Sequence, residues 1–171
     1  MAFHTKLQSN MSKISHIFIV IVALLSVSMA EGQTIALGER IKRTKNIKWL
    51  NDNKPHKSAF TYMEFILSNT NPSRDTATHT HRIIQEYSSI SFVLVTPEMA
   101  SNVEGWVKKL LGPKSGVIVE DQRIRASFGI NYVPYAVILN RKNKVLWFGN
   151  PQQLNKRSID QLLMKQQRRT K

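Results

Sequence analysis

No cysteine occurs anywhere in the chain, and that absence removes several classes of protein at once. No disulfide can staple the fold, no lipid can be attached through a cysteine, and no thiolate can serve as nucleophile, metal ligand or redox centre. Stability must come from a packed core, which 171 residues with 42% hydrophobic content are enough to build. Acidic residues are also scarce: 11 Asp and Glu stand against 25 Lys and Arg, a formal charge of +14. Such a balance permits anionic partners. The basic residues are nevertheless dispersed over residues 40–48, 141–144 and 165–171, and no aromatic side chains interleave with the last group to stack on bases. The expectation is a solvated basic surface with no specific nucleic-acid site, and with anionic lipid as a candidate partner of the tail.

Long apolar runs are equally rare. The single one, residues 14–27, falls short of the roughly 20 residues a spanning helix needs. It follows Lys6 and Lys13 and ends in Ser28-Met29-Ala30, a basic start, an apolar stretch and a small-x-small cleavage pattern. Residues 1–30 are therefore expected to be a secretory leader, with Glu31 as the first mature residue; an uncleaved membrane anchor is the alternative. Residues 31–57 are polar and basic and are interrupted by Gly38, Asn51, Asn53 and Pro55, so they read as an extended lead-in to a domain spanning residues 58–171.

Within that domain, residues 61–67 and 90–96 are dense in β-branched and aromatic side chains and flank a helix expected over residues 75–87. Near-continuous apolar strands joined through a helix are the mark of parallel strands covered on both faces. A second helix is expected from Pro97 to about Leu111, stopped by Gly112 and Pro113, and a short strand follows over residues 116–120. Asp121 is placed to cap a short helix carrying Ile124 and Phe128. Residues 135–139 and 145–148 form an antiparallel hairpin, and a last helix, capped by Ser158, turns Ile159, Leu162 and Leu163 inward.

The run "IKWLNDNKPHKSAFTYMEFILSNTNPSRD", followed by "FGINYVPYAVILNRKNKVLWFGNP", resembles the TlpA-like periplasmic thiol-disulfide oxidoreductases, or redoxins, of the thioredoxin-like superfamily. The resemblance implies a single α/β domain with a central mixed sheet flanked by helices. In that family a strand leads into W-C-x-P-C at a helix start. Laid on the motif, Asn69 stands at the tryptophan, Thr70 at the first cysteine, Asn71 and Pro72 between, and Ser73 at the second cysteine. By the same resemblance Pro134 is the cis-proline facing that corner, and Val133 supplies the backbone that pairs with an extended polypeptide. Both thiols are replaced by hydroxyls. A helix N-terminus lowers a thiol toward the reactive thiolate, but it does nothing comparable for a hydroxyl, so thiol-disulfide exchange by this chain's own residues is excluded.

The reading that results is an exported, catalytically degenerate thioredoxin-like protein serving as a binding or accessory module in the cell envelope, with a protein or peptide partner and no cofactor. A second reading is an enzyme that, like glutathione transferases, uses a hydroxyl at the helix start to activate a thiol brought by its substrate. At the corner itself Asn71 is expected as N-cap with Pro72 at the first helical position. Glu64 interrupts an apolar strand, and the family places a buried acid beside its corner, but strand periodicity leaves open whether Glu64 points in or out. His79 and His81 are two apart on one helix and cannot share an ion; both are expected to be exposed, with no metal site. Trp106 and Trp147 are expected to be packing residues.

Overall fold

In a computed structural model, residues 35–168 are described with the exception of Arg43; the expected leader and the last three residues of the basic tail lie outside them. Strand β1 (Phe60–Phe65) is the middle of a five-stranded sheet of order β3-β2-β1-β4-β5. It runs parallel to β2 (Ile90–Val95), which runs parallel to β3 (Ser115–Ile118), and antiparallel to β4 (Tyr135–Asn140). Strand β5 (Val145–Gly149) closes the hairpin with β4. The turn is held by Asn140, whose Oδ1 accepts from the amides of Lys142 and Lys144.

Helix α1 (Asn71–Gln85) links β1 to β2, α2 (Ala100–Val107) links β2 to β3, α3 (Gln122–Ser127) precedes β4, and α4 (Lys156–Arg168) closes the chain. Helix α1 begins four residues before the expected Asp75, because Pro72 fits the first helical turn, where its missing N–H costs nothing. Helix α2 is shorter than the expected 97–111. Residues 97–99 stay outside it, and Lys108–Leu110 tightens into a 3-10 turn. Asp121 caps α3 by accepting from the amides of Arg123 and Ile124. The cap of α4 is Asn155 and not Ser158. Asn155 Oδ1 accepts from Ser158 N–H and Ser158 Oγ accepts from Asn155 N–H, each at 3.0 Å, the reciprocal pair of a capping box.

Alternation along the strands divides the core into two. Tyr62, Ile66, Phe92, Leu94, Ala136 and Ile138 face the layer made by α1, α2 and α4, where Ile84, Val103, Val107 and Ile159 are buried. Phe65, Val93, Val95, Val137 and Leu139 face α3, through Ile124 and Phe128, together with part of the lead-in. Trp106 and Trp147 pack against the first cluster.

The lead-in takes part in this packing. Ile35, Ile41 and Leu50 are buried in the two clusters. Its backbone bridges Lys144 through Arg40 and Ile118 through Trp49, and Val145 N–H donates to Glu39 O while Val119 N–H donates to Lys48 O. It lies so close to β3 that a β-carbon on Gly116 would stand 2.6 Å from Pro55 Cδ and 2.7 Å from the Asn53 carbonyl oxygen. No described helix is long and apolar enough to cross a membrane.

Candidate functional site

The corner lies where β1 hands over to α1. Thr70, not Asn71, is the N-cap, and its backbone is extended there. The Thr70 side chain does not cap a helix amide. Its hydroxyl lies 3.0 Å from Leu67 O and 2.9 Å from Ser73 Oγ, with one hydrogen to share between them. Ser73 is fully buried and its Oγ also accepts from Leu67 N–H at 3.3 Å. The two hydroxyls therefore point inward and tie the helix start to the end of the strand. Asn69, Asn71 and Pro72 remain exposed.

A second layer supports the loop. Glu98 accepts from Ser68 N–H at 2.6 Å, from Ser68 Oγ at 2.7 Å and from Thr96 Oγ1 at 2.8 Å, so one carboxylate fastens the loop after β1 to the loop after β2. Charge-assisted bonds of this kind are about twice as strong as neutral ones. Arg74 Nε donates to Ser68 O, and its guanidinium lies 6.0 Å from the Trp106 ring centroid. Sequence reasoning missed Ser68, Glu98 and Arg74, because their partners come from three separate segments and no spacing rule connects them.

The proline segment stands at the same end of the sheet. Phe65 pairs with Tyr135 in the β1–β4 ladder, so the residues just after β1 and just before β4 share one edge of the molecule. The Val133–Pro134 peptide bond is cis. Val133 and Pro134 are half-buried, and the neighbouring Tyr132 is exposed and edge-on to Tyr135, with ring centroids 5.3 Å apart.

Glu64 is fully buried and points to the α1 side. Its Oε2 accepts from the Tyr62 hydroxyl and the Thr80 hydroxyl, both at 2.6 Å, while Oε1 has no partner. Burial raises its pKa to about 7, and the hydrogen bonds from Thr80, Tyr62 and Thr76 offset part of that shift. The neutral acid suits this position better than a carboxylate with one orphaned oxygen. Neither partner belongs to the Thr70–Ser73 corner; Thr80 lies two helical turns further along α1. One sequence signal pointed this way: Ser73, Thr76 and Thr80 put polar side chains on the buried stripe of α1, and a polar stripe facing a core needs partners there.

Of the two histidines, His79 is exposed and His81 is not. His81 sits edge-on to Phe92 at 4.9 Å, its Nε2 lies 3.2 Å from Ser115 Oγ, and burial lowers its pKa. It faces β2 and β3 because it is four residues after Ala77, which is fully buried on the same side. Among the described residues no three His, Asp or Glu side chains gather into a metal site.

No protein-family model matches the chain, and no curated protein matches it in sequence. Solved structures do. A thioredoxin-like protein from Aeropyrum pernix superposes with a TM-score of 0.54 at 13% identity, covering 68% of this chain and 81% of its own. A thio-disulfide isomerase from Thermus thermophilus gives 0.58 at 17% identity, covering 76% and 96%. At these identities the likeness concerns the fold. The described residues form a single α/β domain of thioredoxin-like fold whose corner carries hydroxyls and no cysteine.

Proposed function

We propose that this protein is an exported, redox-inactive relative of the TlpA-like redoxins that binds an extended polypeptide at the corner and acts as an accessory module in the cell envelope. The observation that carries the reading is the Thr70–Ser73 pair. Two hydroxyls 2.9 Å apart occupy the start of the helix after β1, at the same end of the sheet as the cis Val133–Pro134 bond, and bond to each other and to Leu67. They have no sulfur to exchange and stay protonated at neutral pH. What this end of the sheet offers instead is the exposed residues Asn69, Asn71, Pro72 and Tyr132 together with half-buried Val133 and Pro134, a surface suited to pairing with a chain in strand conformation. Activation of a substrate thiol gains no support from this arrangement, because Ser73 is buried and Thr70 already donates inward.

The test is a titration of the isotope-labelled protein with extended peptides, followed by amide shifts. Shifts should concentrate at the amides of Asn69, Thr70, Asn71, Tyr132 and Val133. Shifts confined to α4 and the basic tail, or their absence everywhere, would overturn the reading. Export is checked separately by determining the N-terminal residue, which should be Glu31.

A further inference from the structure

On the α3 side of the sheet the molecule holds a cavity of about 760 Å³, within the roughly 300 to 1,000 Å³ usual for small-molecule sites. It lies away from the corner. Thr61, near the start of β1, lines it, whereas the corner follows the other end of that strand. Its apolar wall comes from Met63 and Val93 on the sheet, Ile124 and Phe128 from α3, and Ile47 and Trp49 from the lead-in. The cavity exists because α3 has only six residues and covers one part of this face, while the lead-in spans the rest; Ser91 Oγ donates to His56 O and holds that span in place.

The rim has one sign of charge. Lys42, Lys54, Lys57 and Arg141 line the cavity, and among the described residues no Asp or Glu does. A second depression shares Lys42 and Arg141 and adds Arg40 and Lys142, again without a carboxylate. Two of these cations, Lys42 and Arg141, line both hollows. Thr44, Ser58, Thr61, Ser91, Asn140 and Asn143 also line the cavity, but a fully polar anion would leave its apolar side chains wet. An apolar chain ending in one negative charge satisfies both parts.

We propose that this cavity binds a long-chain fatty acid, its hydrocarbon chain against Met63, Val93 and Phe128 and its carboxylate between Lys42 and Arg141. The site is independent of the peptide corner. It can be tested on the protein with its native N-terminal processing, freed of lipid and titrated with palmitate by calorimetry, with amide shifts as the locator. One palmitate should bind per chain and shift residues 61–63 and 139–143 while leaving 69–72 unmoved. Hexadecanol, which lacks the charge, and octanoate, which lacks most of the chain, should each bind at least about tenfold more weakly. The double variant Lys42→Glu with Arg141→Glu, both exposed positions, should keep the fold and weaken palmitate by at least about tenfold. Met63→Trp should fill the chamber and abolish binding; if that variant does not fold, the rim variant still decides. Failure of palmitate to bind, equal binding of hexadecanol, undiminished binding by the rim variant, or binding to anionic vesicles without binding of free palmitate would each overturn the proposal.

Discussion

The two faces of β1 differ in a way that organises the whole molecule. On one face Tyr62 and Glu64 have no exposure at all; on the other Thr61 and Met63 are only half-buried. A fifteen-residue helix seals the first, whereas a six-residue helix and a loop leave space over the second. The sealed face holds a buried acid between two hydroxyl partners. The open face has no such network and meets its void with apolar wall and cationic rim. The chain's polar groups are thus rationed differently on each side, with inward bonds where packing is complete and rim charges where it is not.

Truncation should expose that difference most strongly. Tyr62→Ala removes a ring stacked 5.5 Å from Phe92 together with one partner of Glu64, and should cost about 3 to 5 kcal/mol. Met63→Ala, one residue away, should cost less than half as much, because its side chain borders space. Urea unfolding of both variants makes the comparison, and equal losses would break it.

The acid comes next. With its pKa raised to about 7, Glu64 keeps a proton in the folded state that the unfolded chain releases near pH 4.5. Its contribution is present at low pH and is lost as pH rises through about 7. Relative to Glu64→Gln, the unmodified protein should lose on the order of 2 to 3 kcal/mol between pH 5 and pH 8. His81 runs the other way, since a lowered pKa costs stability as pH falls below the normal imidazole range; the difference between the two proteins cancels it. A pH-independent difference would show that Glu64 titrates normally.

On the lead-in side, Gly116→Ala should cost about 1 to 3 kcal/mol through overpacking, because the nearest atoms are the Pro55 ring and a backbone carbonyl. Limited proteolysis should then cut first within residues 49–57. The smallest effect is expected at the corner. Thr70→Ala removes a hydroxyl whose partners, Leu67 O and Ser73 Oγ, keep other bonds, and should cost about 1 kcal/mol or less.

Much of this architecture was legible in the amino-acid order, and the parts that were not share a cause. Strands β1, β2 and β4 announce themselves through β-branched and aromatic runs, and Asp121 announces α3, because these are local rules. The orientation of Glu64 was open because β1 carries large apolar side chains on both faces, Phe60 and Tyr62 on one and Met63 and Phe65 on the other, and so shows no alternation to read. The burial of Ile35, Ile41 and Leu50 was hidden in a segment that looks polar, since single apolar residues have no period. Ser158 and Asn155 are both good caps three residues apart, and only the reciprocal bond tells them apart. At the corner, Thr70 and Ser73 drew attention through the motif, but the inward turn of Ser73 and the clasp by Glu98 depend on contacts between loops. The cavity could not be foreseen at all, because it comes from the brevity of α3.

The lead-in also matters for how copies of the chain meet. An outer strand with free amides and carbonyls invites another molecule to add to it. Here one segment reaches both outer strands, hydrogen-bonding Val145 through Glu39 and Gly38 on one side and Val119 through Lys48 on the other. The protein thereby occupies part of each sheet edge itself, at Val145 and at Ile118–Val119, with Arg40 and Lys144 bridged beside the first. Strand addition at these positions would first have to displace a lead-in anchored by buried Ile35, Ile41 and Leu50, so the least regular part of the fold stands in the way of pairing between copies there.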